Sequence, residues 1–269
     1  MTDPHTALPS VFVSHGAPTF ILEDGPARDF VAGLGAWIDA RGGRPRAILC
    51  ASAHWETAAP AVSGAARPAT VHDFYGFPDE LYALRYPAPG APEVADQASG
   101  LLAAAGIGCA VDPGQGLDHG AWVPLMLMYP DADVPVAQVS LQVAGGPAAA
   151  WALGRALAPL RAQGVLVLGS GGAVHNLSRI RYGGGEVPDW AADFGAWMAG
   201  RVEAGDTEAL LAYRGRHPAG ALAHPREEHL LPLHLALGAA CGEDRAPRGQ
   251  VLHRGFMHGP LSMAAYAFD

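Results

Sequence analysis

The chain lacks several features that define large classes of proteins. It has no apolar run of the roughly 20 residues that a membrane-spanning helix needs. Its opening residues, MTDPHTALPS, do not have the basic start and apolar centre of a signal peptide. Its three cysteines, Cys50, Cys109 and Cys241, are far apart and odd in number, which argues against a disulfide framework and for a reducing compartment. We therefore expect no membrane partner and a cytoplasmic protein.

Positive charge is also scarce. The chain has 17 Lys and Arg residues against 26 Asp and Glu residues, and a formal net charge of -9. Because nucleic-acid binding requires clustered basic side chains, and those of this chain are scattered, the sequence predicts no nucleic-acid partner. The chain also lacks a GxSxG nucleophile elbow, a GxxxxGKS or GxxxxGKT phosphate loop and an HExxH helix. These absences exclude three common enzyme designs.

The chain does have enough apolar sequence for a large core. Its 269 residues, half of them apolar, predict a single α/β domain over residues 1–269. Short runs of Val, Ile and Leu indicate buried strands at residues 10–13, 47–51, 134–141 and 165–168. Periodic stretches indicate helices at residues 27–40, 92–105, 146–161, 189–204 and 229–240. This alternation predicts a sandwich with a mostly parallel central sheet flanked by helices, and a ligand pocket at the carboxyl ends of the strands.

The sequence contains 12 histidines, and three of them follow predicted strands. His15 and His54 follow the first two strands, and His175 follows the glycine-rich turn after residues 165–168. A single histidine at a strand end is usually a hydrogen-bonded turn residue, but the carboxyl ends of parallel strands meet in one crevice. Because neutral imidazole is a common ligand of zinc and iron(II), the pattern predicts one shared divalent metal ion there.

Two further segments bring candidates to the same pocket. In HPREEHLLPLHL, the residues His229, Glu227 and Glu228 are all suitable ligands, and the sequence does not choose among them. Pro232 either kinks the following helix or marks its first turn. In GLDHGAW, His119 is either an acid or hydrogen-bond donor beside the metal, or a structural histidine in a loop.

Seven segments of the chain, in this order, resemble one enzyme family: VFVSHGAPTF, SAHWET, FYGFPDELYALRYPAPG, GLDHGAWVPLMLMYP, VLVLGSGGAVHNL, HPREEHLLPLHLALGAA and FMHGPLSMAAYAF. Together they cover the chain nearly end to end and resemble the DOPA-dioxygenase-like class III extradiol ring-cleaving dioxygenases of the LigB-type superfamily. The resemblance implies an α/β fold and one non-haem metal ion per chain. That ion is Fe(II) for ring opening, or Zn(II), which has been placed in the same pocket of some members.

The resemblance also implies roles for individual residues. Carried over by motif, His15, His54 and His229 are metal ligands. His229 takes the place of a glutamate in the related protocatechuate-type enzymes, and an all-histidine site also suits zinc. His175 corresponds to the catalytic base of those relatives, and it can reach the metal as a ligand where zinc fills the site. His119 is the second catalytic histidine and faces the substrate.

The expected function is metal-dependent extradiol cleavage of a small catechol, DOPA-like or other, with O2, which gives a ring-opened semialdehyde acid. The expected partners are a small aromatic diol and O2, and aromatic side chains of FYGFPDELYALRYPAP could stack on the diol. Two alternatives stay open: a zinc-dependent hydrolase that uses the same pocket, and a non-catalytic homologue that binds a metal or small molecule. The sequence leaves the oligomeric state open, and a homo-oligomer is compatible with it.

Overall fold

A six-stranded sheet forms the centre of the computed structural model, which describes residues 7–241 and 247–269. The strands in these ranges are β1 (Ser10–Ser14), β2 (Ala47–Ser52), β3 (Ala61–Ser63), β4 (Ala110–Asp112), β5 (Val136–Gln138), β6 (Val165–Gly171), β7 (Gly249–His253), β8 (Phe256–Met257), β9 (Leu261–Ser262) and β10 (Ala265–Phe268). The α-helices are α1 (Pro26–Gly42), α2 (Asp79–Ala83), α3 (Pro92–Ala104), α4 (His119–Met128), α5 (Gly146–Leu157), α6 (Pro159–Ala162), α7 (Asp189–Ala204), α8 (Thr207–Leu211), α9 (Tyr213–Arg216), α10 (Gly220–Ala223) and α11 (Leu231–Ala239). Within those ranges we find no helix with both the length and the apolarity that a bilayer crossing requires.

The strand order in the sheet is β5-β2-β6-β1-β10-β7. Strands β5, β2, β6 and β1 are parallel, whereas β10 pairs antiparallel with β1, and β7 pairs antiparallel with β10. At the end of the parallel part, Ser170 of β6 is level with Val13 of β1 and Ser52 of β2. The carboxyl ends of β2, β6 and β1 therefore lie side by side at one edge of the sheet.

The central strands are buried on both faces, which explains their continuous apolar sequence. Along β1, Val11 and Val13 pack in the core that includes α1 and α4, whereas Phe12 between them packs in the core that includes α7 and α11. Along β2, Leu49 faces the core that includes α3, α5 and α11. This alternation follows from the two-residue period of a strand. The helices thus cover both faces of the sheet.

Helix α11 is buried over its whole length and meets its neighbours at glycines. A Cβ at Gly154 of α5 would collide with the backbone carbonyl of Leu235 in α11. A Cβ at Gly171 of β6 would collide with the carbonyl of His229, in the turn before α11. Glycine is therefore needed at both positions, because it alone lets the backbones approach so closely. The contact at Gly171 places the turn before α11 directly against the end of β6.

The predicted α/β sandwich with a mostly parallel central sheet flanked by helices is confirmed. Each predicted strand and helix is present, with some changes of bounds. The helix predicted at residues 146–161 is divided before Pro159, because proline lacks the N–H and clashes with the preceding turn. The helix predicted from His229 begins at Leu231, which puts Pro232 in its first turn, where proline is tolerated. The antiparallel pairing of β10 with β1 and β7 was not predicted.

Candidate metal centre

Five histidines meet at the carboxyl edge of the parallel strands. His15 directly follows β1, His54 is the second residue after β2, and His175 is the fourth residue after β6. His119 is the first residue of α4, and His229 lies in the turn before α11. The structure therefore brings together all five histidines that the sequence singled out, although each comes from a different segment.

The rings of His15, His54 and His229 form a nearly equilateral triangle. Their centroids are 5.0 Å apart for His15 and His54, 5.0 Å for His54 and His229, and 5.4 Å for His15 and His229. The ring of His119 lies closer to that of His54, at 3.9 Å, and 5.5 Å from that of His15. The ring of His175 is stacked on that of His229, with 3.4 Å between centroids and 8° between the planes.

The end of β6 fixes three of these segments by backbone hydrogen bonds. The amide of His15 donates to the carbonyl of Gly171 at 2.9 Å. The amide immediately before His54 donates to the carbonyl of Ser170 at 3.0 Å. The carbonyl of His229 accepts from the amide that follows Gly171, at 2.8 Å. The backbones that carry His15, His54 and His229 are thus all attached to one strand.

The side chain of Ser170 fixes the tautomer of His15. Its hydroxyl donates to the carbonyl of Gly120 and lies 3.0 Å from Nδ1 of His15. Because the hydroxyl proton is already donated, the Ser170 oxygen accepts the proton of Nδ1. The lone pair of His15 is then on Nε2, which lies 3.1 Å from Nε2 of His54.

Asp73 holds His119 at two points. Its Oδ1 accepts from the backbone amide of His119 at 2.8 Å, and its Oδ2 accepts from Nδ1 at 2.9 Å. The same Oδ2 lies 3.6 Å from Nδ1 of His54. Burial raises the pKa of Asp73, but the hydrogen bonds and the charge of His119 outweigh burial, so this pKa lies below its usual value. Asp73 therefore stays ionised and leaves Nε2 of His119 free.

Glu228 orients His229 in a similar way. Its Oε1 accepts from Nδ1 of His229 at 3.0 Å, which leaves Nε2 free. Its Oε2 is buried and has no hydrogen-bond partner among the residues that the structure describes. Burial raises the pKa of Glu228. The neighbouring Glu227 instead accepts a hydrogen bond from the hydroxyl of Tyr213 at 3.1 Å, so its carboxylate is engaged outside the cluster.

Gly120 makes the close packing of the cluster possible. A Cβ at this position would overlap the hydroxyl of Ser52, and would lie 2.9 Å from Cδ2 of His54 and 3.1 Å from Cε1 of His15. Ordinary contacts of a Cβ are 3.4–4 Å. The start of α4, which Asp118 caps through its side chain, can therefore approach the cluster only because this residue is glycine.

Burial favours the neutral form of these imidazoles. Burial, followed by the charges of neighbouring histidines, lowers the pKa of His15 and of His229 well below the usual value. Burial also lowers the pKa of His54 to about 3 and that of His175 to about 4, and the charge of His119 adds to both shifts. Neutral imidazole is the form that binds a metal ion or accepts a proton.

The donor atoms fit a divalent metal ion. Among the described residues, two groups of three side chains each have their possible ligand atoms within 4.8 Å of one another. The first group is His15, His54 and His119, and the second is His175, Glu228 and His229. Two nitrogens that each lie about 2.0–2.1 Å from one ion are about 2.8–3.4 Å apart at ligand angles of roughly 90–110°. The 3.1 Å between the Nε2 atoms of His15 and His54 is within this range.

Two of the remaining histidines lie outside the cluster or outside the described residues. His234 donates to the carbonyl of Leu210 at 3.0 Å and so is engaged away from the cluster, and His5 lies outside the described residues. Asp73 and Ser170 also belong to the site, although neither was predicted from the sequence. Neither has a local signal, since Asp73 lies 46 residues before the histidine that it binds.

Known proteins resemble the chain over nearly its whole length. The family described as the catalytic LigB subunit of aromatic ring-opening dioxygenase matches residues 9–269. A protein named 4,5-DOPA dioxygenase extradiol from Beta vulgaris is 42% identical over 96% of this chain and 95% of its own length. A protein of the same name from Escherichia coli K12 is 38% identical over 89% of this chain and 88% of its own length. A crystal structure of an uncharacterized protein from Escherichia coli K12 has a TM-score of 0.81 and 32% identity, and covers 97% of this chain and 100% of that one.

The family match spans every histidine of the cluster, from His15 to His229. It confirms the resemblance that the seven sequence segments indicated, and it confirms the enzyme class. Enzymes of this family bind a metal, in agreement with the donor atoms found here. The chain belongs to the LigB family and is an extradiol aromatic ring-opening dioxygenase.

Proposed function

We propose that this enzyme opens the ring of a DOPA-like catechol with O2 at one divalent metal ion held by His15, His54 and His229. Both atoms of O2 enter the product, a ring-opened semialdehyde acid. The main support is the triangle of three imidazoles at the carboxyl edge of the sheet. The relatives named 4,5-DOPA dioxygenase extradiol support the substrate class.

Ring spacing supports His229, rather than His119, as the third ligand. An imidazole centre lies roughly 3.2 Å from an ion bound through Nε2, so two such centres are about 4.5 Å apart at a 90° ligand angle and about 5.5 Å apart at 120°. The three sides of the triangle, 5.0, 5.0 and 5.4 Å, all fall in this range. The 3.9 Å between His54 and His119 is too short.

His175 is the general base of the proposed reaction. Its ring is 3.4 Å from that of His229, which is too close for both to ligate one ion, so His175 is free to bind a proton. With a pKa of about 4, it is neutral at pH 7 and accepts a proton from a catechol hydroxyl. A bound divalent ion supplies the Lewis acidity that makes this hydroxyl acidic, and Fe(II) also supplies the electron chemistry that O2 requires.

His119 orients substrate oxygen and moves a proton on the other side of the cluster. Its Nδ1 proton is donated to Asp73, so Nε2 accepts a hydrogen bond, or donates one when the ring is protonated. The ring of Phe74 lies edge-on to His119, with centroids 5.7 Å apart. In the proposed reaction it offers an aromatic contact for the catechol ring.

Anaerobic loading with Fe(II), followed by L-DOPA and O2, tests the proposal. We expect a yellow semialdehyde product and the consumption of one O2 per catechol, and no O2 consumption with Zn(II) in the site. Hydrolytic turnover without O2 would instead support the zinc-hydrolase alternative. Binding of metal and L-DOPA without any turnover would contradict the proposed reaction.

A pair of variants tests the ligand set. His229→Ala should lose the metal ion, whereas His119→Ala should retain one ion per chain and lose turnover. Metal analysis after gel filtration measures the first property, and an oxygen electrode measures the second. Retention of metal by His229→Ala together with its loss from His119→Ala would show that the third ligand is His119.

A further inference from the structure

An arginine outside the histidine cluster links the loop of His54 to the loop of His229. The guanidinium of Arg226 makes two hydrogen bonds to the carboxylate of Glu56, one of them 3.0 Å from Nη1 to Oε1 and the other from Nη2 to Oε2. Glu56 lies two residues after His54, and Arg226 lies three residues before His229. The ion pair thus connects two segments that are 170 residues apart in the chain.

The same guanidinium faces the carboxylate that orients His229. Nε of Arg226 lies 3.8 Å from Oε2 of Glu228, the buried oxygen that has no hydrogen-bond partner within residues 7–241 and 247–269. The other oxygen of Glu228 accepts from Nδ1 of His229. The Glu228 side chain is 11% exposed and that of Arg226 is 62% exposed. Arg226 therefore places a positive charge on the solvent side of a buried carboxylate.

We propose that Arg226 is a positioning residue that sets how long the metal ion stays bound. It holds the loop of His54 against the loop of His229 and keeps Glu228 directed at the ring of His229. Release of the ion requires one of these imidazoles to withdraw, and the bidentate pair with Glu56 opposes that movement. The inference rests on the proposed function, since it takes His54 and His229 as ligands of one ion.

The expected effect of Arg226 on metal binding differs in size from its expected effect on the stability of the fold. An exposed ion pair contributes little to the free energy of unfolding, because solvent and salt screen it. Groups that orient a metal ligand, by contrast, change metal affinity by about 10–100-fold. Loss of Arg226 should therefore change metal release far more than it changes unfolding of the whole chain.

Zinc transfer to a chromophoric chelator measures this effect without any need for turnover. In Arg226→Gln, we expect the dissociation rate constant of Zn(II) to rise about 10-fold, while the thermal unfolding midpoint of the metal-free protein stays unchanged. Arg226→Lys should lie between wild type and Arg226→Gln, because an ammonium group keeps the charge but cannot make the bidentate pair. Glu56→Gln should also accelerate release, because it removes the anionic partner of the pair.

Arg254→Gln is the matched control. Arg254 pairs with Glu203 at 3.3 Å, and the two side chains are 57% and 52% exposed, so this substitution also removes an exposed ion pair. We expect its zinc dissociation rate to equal that of wild type. High salt, about 1 M, should accelerate release from wild type and have little effect on Arg226→Gln, because the screened interaction is already absent there.

Two results would overturn the inference: a wild-type dissociation rate in Arg226→Gln, or the same acceleration in Arg254→Gln. His229→Ala in the same assay distinguishes this failure from failure of the ligand set. If His229→Ala loses zinc while Arg226→Gln releases it at the wild-type rate, only the role of Arg226 is wrong. If His229→Ala still binds zinc tightly, the proposed ligand set is wrong as well.

Discussion

Substitution of Gly120 by alanine tests the geometry of the histidine cluster directly. The new methyl group would lie 2.9 Å from Cδ2 of His54, against at least 3.4 Å for an ordinary contact, so that ring has to move by 3.4 - 2.9 = 0.5 Å. The ring of His15 has to move by 3.4 - 3.1 = 0.3 Å. These two rings carry the Nε2 atoms that lie 3.1 Å apart, so either shift disturbs the spacing of that pair. We expect a loss of metal affinity of about 10–100-fold and a loss of stability of about 1–3 kcal/mol from overpacking.

Chelator competition measures the metal affinity of Gly120→Ala, and urea unfolding of the metal-free protein measures its stability. Gly33→Ala is the control, because Gly33 lies inside α1 and a Cβ there meets nothing within 4 Å. This control should bind metal normally and gain about 0.5–1 kcal/mol of stability from the higher helix propensity of alanine. If Gly120→Ala binds zinc as tightly as wild type, the packing argument for the cluster is wrong.

Three further predictions concern proton chemistry. His175→Ala should retain one metal ion per chain and lower kcat by about 100-fold or more; normal turnover, measured with an oxygen electrode, would remove His175 from the mechanism. Asp73→Asn should retain the metal ion and lower kcat by roughly 10-fold, because an amide offers one oxygen where the two carboxylate oxygens accept from the backbone amide and from Nδ1 of His119; an unchanged kcat, measured with an oxygen electrode, would contradict this role. The free energy of unfolding of the metal-free protein should fall as the pH drops from 6.5 to about 3. The reason is that His54 binds a proton at its usual pKa in the unfolded chain, but only near pH 3 in the folded chain. Urea unfolding at several pH values measures this free energy, and a constant value across the window would refute the prediction.

Part of the histidine cluster could be predicted, because three of its histidines follow the ends of buried strands. The apolar runs of β1, β2 and β6 are visible in the sequence, and parallel strands bring their carboxyl ends together. His15, His54 and His175 follow from this rule. The rule does not decide which of His229, Glu227 and Glu228 is the ligand, because that depends on how the turn before α11 packs. In the structure Glu227 accepts from a tyrosine hydroxyl and Glu228 accepts from His229.

The groups that orient the histidines could not be predicted from local patterns. Asp73 binds His119 across 46 residues, and Ser170 binds His15 across 155 residues. Such pairs arise only when the elements dock, and hydrophobic periodicity contains no information about them. The break before Pro159 was different, since proline is a visible signal and its effect on the helix could have been predicted.

The attachment of three histidine segments to the end of β6 has a consequence for the dynamics of the site. A fluctuation that opens this strand end breaks the hydrogen bonds of His15, of the residue before His54 and of His229 together. The donor amides of these bonds belong to His15, Ala53 and Gly172, and they should therefore exchange with solvent in one cooperative event, rather than independently. A metal ion that binds only while the strand end is intact would slow the hydrogen exchange of all three amides by the same factor. The three histidine segments thus share one point of opening, so local unfolding of this strand end would disturb all three proposed ligands at once.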